Sequence, residues 1–400
     1  MLTKNLQLEK QKVPKLRFVS FKGDWEEKKI GDLFKVVVGF VGTISTEYCD
    51  KEEGVPFIRT LNVRPSFFDM KEVQYVTKQF HFKNKKSQLR DEDVLIARVG
   101  ANMGMVCKVE GLKGEANSAN VVIIKESKNE CSDFFSYYLN SYQGKKQINA
   151  FGAGGAQEVL NISVVKKIKV PLILKEEQQK ISFFLSGVDE WIGNLKAQKE
   201  NFELYKKGVT QKIFSQEIRF KDEKGKEYFE WEEVVLGDIV NNFDNKRIPI
   251  SGEKRTLGLF PYYGANGVVD YVNDYIFDGE YVLVAEDGVV DVTKYPVHFV
   301  SGKFWVNNHA HVLKGRSVSD KFLFYCLQQT KFGKYITGSA QTKLNNQVLS
   351  KLKIKIPQEK KEQQKISDFL TSVDKVIESK KEQISQAEEW KKGLMQRLFI

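Results

Sequence analysis

The chain has 400 residues and a mass of 46.0 kDa, more than one ordinary domain holds, so we expect about two to four domains. Hydrophobic residues make up 41% of the sequence and prolines number 8, which excludes a disordered or fibrous chain. The 63 basic and 52 acidic residues leave a net charge of +11, which favours a polyanionic partner, either nucleic acid or an anionic membrane surface.

The membrane is the weaker of these two options, because no apolar run approaches the roughly 18 residues of a spanning helix. The stretch Met1–Lys15 is basic and polar and lacks the apolar core of a secretory signal. The four cysteines lie far apart and form no CxxC pair: Cys49, Cys107, Cys131 and Cys326. This spacing excludes a disulfide scaffold and a zinc ribbon, and it predicts a cytoplasmic protein.

The first 170 residues predict short strands followed by an aromatic helix, because β-branched runs alternate with Gly, Asn and Asp. The strands are Val36–Val38, Val55–Ile58, Val94–Ala97 and Val121–Ile124, and the helix is Phe134–Leu139. Asp91-Glu92-Asp93 is interpreted as the turn into the third strand and not as a metal site. The glycine-rich stretch Phe151–Ala156 follows a helix instead of a strand, so we favour a flexible surface loop over a cofactor loop.

A long helix is predicted after Pro171, where apolar residues recur every seven positions over about five heptads. Its seam residues are Ile181, Leu185, Val188, Ile192, Leu195, Phe202 and Val209. Such a helix of about forty residues would span about 60 Å, and its pairing helix is expected in the same chain. We favour a helix whose outer face also docks other subunits over a rod that only holds domains apart.

The second half predicts the same order of elements. Its strands are Tyr281–Ala285, Val297–Val300 and Ala310–Leu313, its aromatic helix is Phe322–Leu327, and its long helix follows Pro357 with the seam Ile366, Leu370, Val373, Ile377, Ile384, Leu394 and Leu398. His309 and His311 alternate on a strand and share a face. Because no third His or Cys accompanies them, we favour a buried or hydrogen-bonded pair over a metal site.

An internal repeat explains this recurrence. The segment KEEQQKISFFLSGVD (Lys175–Asp189) recurs as KKEQQKISDFLTSVD (Lys360–Asp374), 185 positions later. Weaker anchors recur in the same order: WEE at Trp25 and Trp231, VL-x-A-x-x-G at Val94 and Val282, N-x-A at Asn117 and Asn308, and AQ-x-x-LN at Ala156 and Ala340. The sequence therefore predicts a globular domain, a long helix, a second globular domain and a second long helix.

Catalytic motifs are absent from the sequence. It contains no GxxxxGK[ST] phosphate loop, no Pro-Pro for the target-base loop of a DNA methyltransferase, and no PD…(D/E)xK nuclease core. We therefore expect no catalysis by this chain alone. Two alternatives stay open: a self-contained DNA modification enzyme with an unrecognised active site, and a coiled-coil assembly protein without DNA specificity.

Two segments resemble the domain openings of type I restriction–modification specificity subunits: RFVSFKGDWEEKKIGDLF (Arg17–Phe34) and RFKDEKGKEYFEWEEVVLGDI (Arg219–Ile239). The Pro-then-EQQKI start of both long helices is similar to that family as well. Three further segments resemble one class of its target recognition domains: PYYGANGVVDY (Pro261–Tyr271), LVAEDG (Leu283–Gly288) and WVNNHAHVL (Trp305–Leu313). The stretch Tyr75–Arg90 carries no such signature.

This resemblance implies an α/β (α+β) fold with two target recognition domains in tandem repeat, each followed by a long helix, and an antiparallel coiled coil between the helices. The implied division is a basic tail at 1–15, a first domain at 16–170, a central helix at 171–218, a second domain at 219–356 and a C-terminal helix at 357–400.

The resemblance also implies a set of partners. Each domain would read one half of a bipartite site in double-stranded DNA through the major groove, while the helices set the gap and dock two modification subunits. Those subunits would carry S-adenosylmethionine, and this chain would bind no cofactor or metal. The resemblance also allows restriction subunits with motor and nuclease activity as partners. It implies no membrane partner.

Candidate DNA contacts follow from the chemistry of recognition, in which Lys and Arg bind phosphates and Arg, Lys, Asn and Gln read base edges. In the first domain they are Arg59, Asn62, Arg64, Arg98, Asn102, Asn117 and Asn120. In the second they are Tyr262, Tyr263, Asn266, Lys294, Lys303, Asn307, Gln341, Lys343 and Asn345. The competing interpretations are a turn-capping amide or a solvated charge. Trp25 and Trp231 are expected in the core and not as stacking platforms for bases.

The basic excess is uneven along the chain. Residues 1–170 contain 28 basic and 20 acidic groups, whereas residues 216–291 contain 8 and 17 and residues 292–356 contain 11 and 1. The second domain therefore divides into a part of charge −9 and a part of charge +10. This division predicts that its DNA-facing groups lie in its C-terminal half.

Overall fold

The structure, a computed structural model, describes residues 13–152, 159–289, 291–335 and 343–400. The chain forms two compact units. Unit 1 comprises Met1–Lys196 with Glu382–Ile400, and unit 2 comprises Ala197–Lys381. Each unit therefore joins one globular domain to parts of both long helices, whereas the division drawn from the sequence follows the chain from one element to the next.

The first domain contains thirteen strands and five short helices among its described residues. The strands are β1 (Glu26–Lys29), β2 (Val36–Val38), β3 (Tyr48–Cys49), β4 (Gly54–Ile58), β5 (Val63–Arg64), β6 (Phe67–Phe68), β7 (Gln74–Thr77), β8 (Gln88–Leu89), β9 (Val94–Ala97), β10 (Val106–Lys108), β11 (Ala116–Ser118), β12 (Val121–Ile124) and β13 (Lys169–Leu172). The helices are α1 (Ile30–Leu33), α2 (Lys78–Lys83), α3 (Ser132–Asn140), α4 (Tyr142–Gly152) and α5 (Ile162–Val165), and the long helix α6 (Lys175–Phe214) follows.

The second domain repeats this order with fewer elements. Its strands are β14 (Glu232–Val235), β15 (Val240–Asn242), β16 (Leu257–Gly264), β17 (Gly267–Val272), β18 (Phe277–Asp278), β19 (Tyr281–Ala285), β20 (Val297–Val300), β21 (Lys303–Val306), β22 (Ala310–Gly315) and β23 (Lys353–Ile356). The helices are α7 (Leu236–Ile239), α8 (Asp320–Gln328), α9 (Asn346–Ser350) and the long helix α10 (Lys360–Leu398).

The two domains have the same sheet topology. A four-stranded antiparallel sheet has the order β10-β9-β12-β2 in the first domain and β20-β19-β22-β15 in the second. A second sheet has the order β7-β4-β11-β8 and β17-β16-β21-β18, with a parallel pair at its centre in both cases. The first domain adds β3 at one edge. In each domain the first strand pairs with the last, β1 with β13 and β14 with β23.

The predicted strands agree with these elements because the β-branched runs form the central strands. Strand β9 is buried at every residue, with Val94 and Ile96 in one hydrophobic cluster and Leu95 and Ala97 in another. Side chains alternate across a strand, so a strand buried on both faces has a continuous apolar sequence. Strand β19 shows the same division, and the expected α/β (α+β) tandem fold is confirmed.

One anchor of the repeat is misaligned. Strand pairing places Val121 opposite Ala97 in the first domain and Ala310 opposite Ala285 in the second. Since Ala97 and Ala285 occupy matching positions of the VL-x-A-x-x-G motif, Ala310 corresponds to Val121 and not to the Ala119 of the N-x-A motif. The turn before the strand is built differently in the two domains, which shifts a short motif without moving the strand.

The two long helices pack antiparallel. In unit 1, the Nζ of Lys391 lies 2.5 Å from a carboxylate oxygen of Asp189 and that of Lys196 lies 2.6 Å from Glu388. The chain directions are therefore opposite. Every residue of the predicted seam is buried or half-buried. Much of that burial is against the globular domains and not only against the other helix, because Ile181 and Leu185 share a cluster with Trp25 and Phe134.

The repeated glutamine of the EQQKI motif attaches each domain to its helix. Gln178 is fully buried, accepts a hydrogen bond from the backbone N–H of Cys131 at 2.8 Å and donates to the carbonyl of Ile173. Gln363 accepts from Ser319 at 3.0 Å and donates to Pro357. Cys131 and Ser319 are the N-cap residues of α3 and α8. The motif thus satisfies backbone groups that helix ends leave open.

A Tyr–Asp–Lys arrangement occurs once in each unit. Tyr137 donates to Asp189 at 2.9 Å, and the Nζ of Lys391 contacts the same carboxylate. Tyr325 donates to Asp374 at 2.7 Å, and Lys206 lies 2.6 Å from that carboxylate. Burial and the adjacent carboxylate raise the pKa of both tyrosines, so each phenol remains a donor. These contacts link each domain to both helices.

Aromatic contacts accompany these links. Phe399 packs edge-on against Phe134 at 5.6 Å in unit 1, and its repeat counterpart Phe214 stacks on Phe322 at 5.8 Å in unit 2. Trp25 is 1% exposed, as expected of a core residue, and Trp231 is half-buried and donates to Glu362.

Among the described residues, every helix is too short or too polar to span a bilayer.

Candidate nucleic-acid interface

Polar segments that are far apart in sequence meet at one place in the first domain. The side chain of Asn102 donates to the carbonyl of Thr60 at 3.0 Å, and the N–H of Arg98 donates to the carbonyl of Asn120 at 3.1 Å. The segments 59–64, 98–102 and 117–120 therefore adjoin one another, and we name them the first polar cluster. It contains all seven candidate residues of this domain.

Two of those residues are buried and hydrogen-bonded within the protein. Asn62 is fully buried, accepts from the N–H of Arg59 and donates to the carbonyls of Asp69 and Lys71. Asn117 is also fully buried and accepts from the N–H of Ser118 at 2.8 Å. Amides with these partners hold loops in place, so the structure favours the turn-capping interpretation for both.

The other five are partly exposed. Arg64 lies 3.7 Å from Asp69, Arg98 lies 3.5 Å from the side-chain oxygen of Asn161, and the Nε of Arg59 is buried with no hydrogen-bond partner among the described residues. Asn120 has a φ of 53°, in the left-handed region that asparagine tolerates better than most residues. Long guanidinium groups with weak partners are free to move to a phosphate or a base edge.

A matching set of segments meets in the second domain. The N–H of Leu344 donates to the carbonyl of Glu286 at 2.8 Å, just as Leu160 donates to Arg98 at 3.0 Å in the first domain. Glu286 in turn donates its N–H to the carbonyl of His309. The segments 262–266, 286–288, 307–309 and 343–345 form the second polar cluster. The two clusters thus occupy equivalent places in the two domains.

Three candidates in this cluster are wholly or largely buried. Tyr262 is 1% exposed, and its hydroxyl accepts from the N–H of Ile250 at 2.9 Å. Asn307 is 8% exposed and accepts from the N–H of His309 at 2.8 Å. Tyr263 packs edge-on against Phe304, and burial raises the pKa of its phenol. The structure favours supporting roles for Tyr262 and Asn307.

The remaining candidates of the second domain that the structure describes are exposed. Asn266 donates to the carbonyl of Gly288 at 3.2 Å, Lys343 lies 3.2 Å from Glu286, and Asn345 caps α9 by accepting from Val348. Lys294 and Lys303 are exposed on the same domain, outside the segments of the cluster, and Lys303 lies over the ring of Tyr275. Gln341 lies outside the described residues.

A buried charged network supports the second polar cluster. His311 is 1% exposed, with Nδ1 2.5 Å from Asp244 and Nε2 2.7 Å from the carbonyl of Leu344. Arg247 donates to Glu286 at 2.7 Å. Burial raises the pKa of Asp244 and Glu286, but the hydrogen bonds and charges of His311 and Arg247 outweigh it and lower the pKa of both carboxyls below their usual range. The network fixes segment 343–345 through Leu344.

The same network contains a group of side chains that could hold a metal ion, since ligand atoms of Asp244, Glu286 and His311 lie within 4.8 Å of one another. Both ring nitrogens of His311 already lie within hydrogen-bond distance of protein oxygens, Nδ1 of the Asp244 carboxylate and Nε2 of the Leu344 carbonyl. The guanidinium of Arg247 lies 2.7 Å from Glu286, so a cation already pairs with this carboxylate. The arrangement is a salt-bridge network, which agrees with a hydrogen-bonded His311, and His309 pairs separately with Asp287 at 2.7 Å.

Sequence reasoning missed a basic surface beside the first polar cluster. Helix α2 and the turn after it carry four exposed lysines: Lys78, Lys83, Lys85 and Lys86. The turn adjoins the cluster, because Ser118 donates to the carbonyl of Ser87 at 2.9 Å. In the sequence, this basic surface is indicated by the density of lysine in Tyr75–Arg90, the stretch that carries no family signature. Asp244 and Arg247 were missed because their partners lie 39 to 67 positions away.

Known proteins support a single family for this architecture. The model of the type I restriction modification DNA specificity domain matches twice, at residues 22–204 and 228–389. The chain is 26% identical to the MjaVIII specificity subunit of Methanocaldococcus jannaschii and covers 94% of itself and 92% of that protein. A putative MjaX specificity subunit of the same organism is 28% identical, with 94% and 93% covered.

A putative specificity subunit of Haemophilus influenzae is 38% identical over a shorter region, 32% of this chain and 33% of that protein. The crystal structure of an S subunit from M. genitalium has a TM-score of 0.63 at 17% identity and covers 97% of this chain and 99% of that one. That likeness shows a shared fold. Since the family model matches most of the chain in two successive copies, the chain belongs to the type I restriction–modification DNA specificity family.

Proposed function

We propose that each polar cluster reads one half of a bipartite DNA site, as part of a type I restriction–modification complex. The observation that carries this proposal is the duplicated scaffold: equivalent loops meet at equivalent places, but their side chains differ. Arg98 and Glu286 hold the same position, marked by the matching Leu160 and Leu344 hydrogen bonds. The same backbone with different side chains suits two different half-sites.

We infer a narrower set of DNA contacts from the candidates that are at least partly exposed, and we keep Gln341, which lies outside the described residues. Arg59, Arg64, Arg98, Asn102 and Asn120 would contact the first half-site, and Asn266, Lys294, Lys303, Lys343, Asn345 and Gln341 the second. The buried Asn62, Asn117, Tyr262 and Asn307 would hold the loops. Lys78, Lys83, Lys85 and Lys86 would bind phosphates beside the first half-site, since clustered lysines provide sequence-independent attraction.

The chemistry would belong to partner subunits. Two modification subunits would dock on the antiparallel helices and supply S-adenosylmethionine, and restriction subunits would join that complex. The helices would also set the gap between the half-sites, since a separation near one turn of DNA, about 34–36 Å, is the usual geometric step. One structural neighbour, with a TM-score of 0.55, comes from a study of complex assembly in the type I restriction–modification system, which supports this assembly.

A methylation assay with reconstituted subunits tests this proposal. The chain with its modification subunits should transfer a labelled methyl group to DNA at a split sequence, and the chain alone should transfer none. Methyl transfer by the purified chain alone would show a self-contained enzyme. Binding to DNA with modification subunits present but without sequence preference would show an assembly protein.

A heptad insertion tests the spacing role. Seven residues added near the middle of α6 and of α10 should lengthen the tolerated gap and leave the bases of both half-sites unchanged. A matched insertion of seven residues in the exposed loop after β17 provides the control. Altered half-site bases with an unaltered gap would contradict the role of the helices as a spacer.

A further inference from the structure

Helix α4 contacts the base of a loop that carries two of the candidate DNA contacts. The loop spans residues 98–105 between β9 and β10 and contains Arg98 and Asn102. The Nζ of Lys145, on α4, donates to the carbonyl of Gly104 at 2.6 Å. Among the described residues this ammonium has no other hydrogen-bond or ion-pair partner. The side chain of Lys145 is therefore committed to the loop.

The environment of Lys145 is unusual because its ammonium is partly removed from water and has no anion beside it. Burial lowers the pKa of Lys145 to about 8, so the amine is still mainly protonated at neutral pH. Glu388 lines the same cavity as Lys145, but its carboxylate pairs with Lys196 at 2.6 Å. Removing a cation from water without an anion reduces stability, and groups of this kind are concentrated at functional sites. Stability alone therefore gives no reason for a lysine at this position.

Gly104 allows α4 to approach the loop closely. Its φ is 77°, in the left-handed region that glycine adopts readily, and a Cβ on it would lie 2.9 Å from Cγ2 of Ile148. Ile148 stands three positions after Lys145, so both side chains lie on one face of α4. That face contacts both the Cα and the carbonyl of Gly104, which leaves the base of the loop little room to shift.

Hydrogen bonds connect this base to the rest of the loop. The N–H of Gly104 donates to the carbonyl of Ala97 at 2.9 Å, and the N–H of Met105 donates to the carbonyl of Asn102 at 2.9 Å. Arg98 follows Ala97 directly in the chain. The two ends of the loop are thus joined, so a shift of Gly104 also moves the two candidate DNA contacts.

Helix α4 is itself held by other elements of unit 1. The side chain of Gln147 donates to the carbonyl of Lys169 in β13 and accepts from its N–H, at 2.9 Å each. Gln143 donates to the carbonyl of Phe399, which follows the last residue of α10, at 3.2 Å. Lys145 therefore ties the loop to a helix that is fixed at both its sheet side and its helix side.

The second domain supports the matching loop without a charge. Strands β10 and β20 begin at matching places opposite β9 and β19, so Tyr295, two residues before β20, corresponds to Gly104. The ring of Tyr295 stacks on the buried ring of Phe332 at 4.3 Å. Gly333 takes the place of Lys145 when positions are counted from the tyrosine of each Tyr–Asp–Lys arrangement. An ammonium thus supports one loop and a stacked ring supports the other.

We propose that Lys145 is a positioning residue for DNA reading at the first half-site. Its ammonium holds the carbonyl of Gly104 and thereby fixes the loop from which Arg98 and Asn102 reach the DNA. This role rests on the proposed function, which assigns those two residues to the first half-site. Because Lys145 acts through the loop, its loss lowers the discrimination between bases and not the general attraction to phosphates.

The test measures base discrimination by the full-length chain assembled with its modification subunits. Discrimination is the ratio of the affinities for the target duplex and for a duplex with one changed base pair, placed in either half-site. Lys145→Ala should reduce this ratio roughly tenfold for changes in the first half-site, the size expected for the loss of one charged hydrogen bond, and leave the second half-site unchanged. Lys146→Ala, at the exposed neighbouring position of α4, is the matched control and should keep both ratios at their wild-type values.

A chemical rescue separates this contact from a general structural role. Propylammonium supplies the atoms beyond Cβ that Lys145→Ala lacks, and the cavity of about 360 Å³ that Lys145 lines gives it access. It should restore most of the lost discrimination, whereas tetramethylammonium, which has the charge but no N–H donor, should restore none. Lys145→Met keeps the length of the side chain and a good helix former, and it should show the same loss of discrimination without rescue.

Three results would overturn the proposal. They are wild-type discrimination by both Lys145 variants, an equal loss of discrimination at the two half-sites, and a loss in Lys145→Ala that propylammonium leaves unchanged. Absence of any base discrimination by the wild-type complex would instead contradict the proposed function.

Discussion

The two units share a backbone and differ in what they present. Their side chains agree where each domain meets the helices: Gln178 matches Gln363, and Asp189 matches Asp374. Their side chains disagree at the polar clusters, where a cation in one unit stands at the place of an anion in the other. The duplicated units therefore retain the contacts between domain and helix and differ in the loops of the polar clusters.

The difference extends to how each cluster is stabilised. In the second domain the network of Asp244, Arg247, Glu286 and His311 fixes the cluster with buried charges. In the first domain the main support comes from buried amides such as Asn62 and Asn117, which bond to backbone groups. The first cluster should therefore respond little to pH, and the second should respond strongly.

The largest expected effect is a loss of stability that is confined to one unit and is caused by a substitution in the core of that unit. Leu185 and Leu370 are both fully buried at matching places in the repeat. Replacing either with alanine should reduce the free energy of unfolding of its own unit by roughly 3 kcal/mol, since a buried leucine leaves a cavity. Amide hydrogen exchange resolved along the chain measures this. Equal loss of protection in both units from one substitution would show that they unfold together.

A pH-dependent effect on the second unit should come next. Removing one member of a buried charge network reduces stability by roughly 3 kcal/mol, so Asp244→Asn should do so at neutral pH. In the folded protein the pKa of Asp244 and that of Glu286 lie below their ordinary values of 3.8 and 4.5. Their contribution to the free energy of unfolding is therefore fully present at pH values above those ordinary values. It is lost as the pH falls through the lowered pKa values of the folded protein.

The measurement is the difference in unfolding free energy between Asp244→Asn and the wild type, from urea titrations at pH 7 and pH 3. That difference should shrink at the lower pH. Burial raises the pKa of the Asp320 carboxyl, so this residue changes the stability with pH in the opposite direction. Asp320 is present in both proteins, so its contribution cancels in the difference between Asp244→Asn and the wild type. Asn62→Ala in the first domain is the matched control, and its effect should be independent of pH.

A smaller effect is expected from the Tyr–Asp–Lys contacts. Lys391→Met and Lys206→Met should each destabilise one unit by about 1 kcal/mol, a modest value because Asp189 and Asp374 are about one third exposed and solvent screens the pair. A double-mutant cycle with Tyr137→Phe isolates the coupling in unit 1. Coupling between Lys391 and Tyr325 would contradict the separate attachment of the two domains.

The smallest effect concerns affinity for DNA. Lys343→Gln and Lys294→Gln should each reduce the slope of log affinity against log salt by about 0.9, the value for one phosphate contact. The bases preferred at the second half-site should stay the same. Filter binding at several salt concentrations measures the slope. Lys381→Gln, on α10, is the control, and a slope unchanged in all three variants would exclude these two lysines from the interface.

Much of the fold followed from local sequence. Strands β9, β12 and β19 match their predicted bounds because continuous apolar runs form strands buried on both faces. Strand β20 also matches its bounds, although its two central residues are half-buried. The sheet order could not be predicted. The parallel pair of β4 and β11, for example, joins residues 60 positions apart, as Phe57 and Asn117, and a periodic pattern carries no information about such pairing.

The candidate site was less predictable than the fold. An asparagine that reads a base and one that caps a turn look the same in sequence, and only burial distinguished Asn62 from Asn102. Tyr262 stood in a motif of the family and proved to be a core residue. Exposed lysines such as Lys85 carried no motif and lie beside the first cluster.

Helix α10 has a consequence for the time course of folding. Unit 2 is a contiguous stretch, Ala197–Lys381, whereas the core of unit 1 includes Leu394, Leu398 and Phe399. A ribosome makes the first domain early but supplies those residues about two hundred positions later. The half of the protein that is synthesised first is therefore the half that finishes folding last, with Phe134 and Tyr138 uncovered until Phe399 emerges.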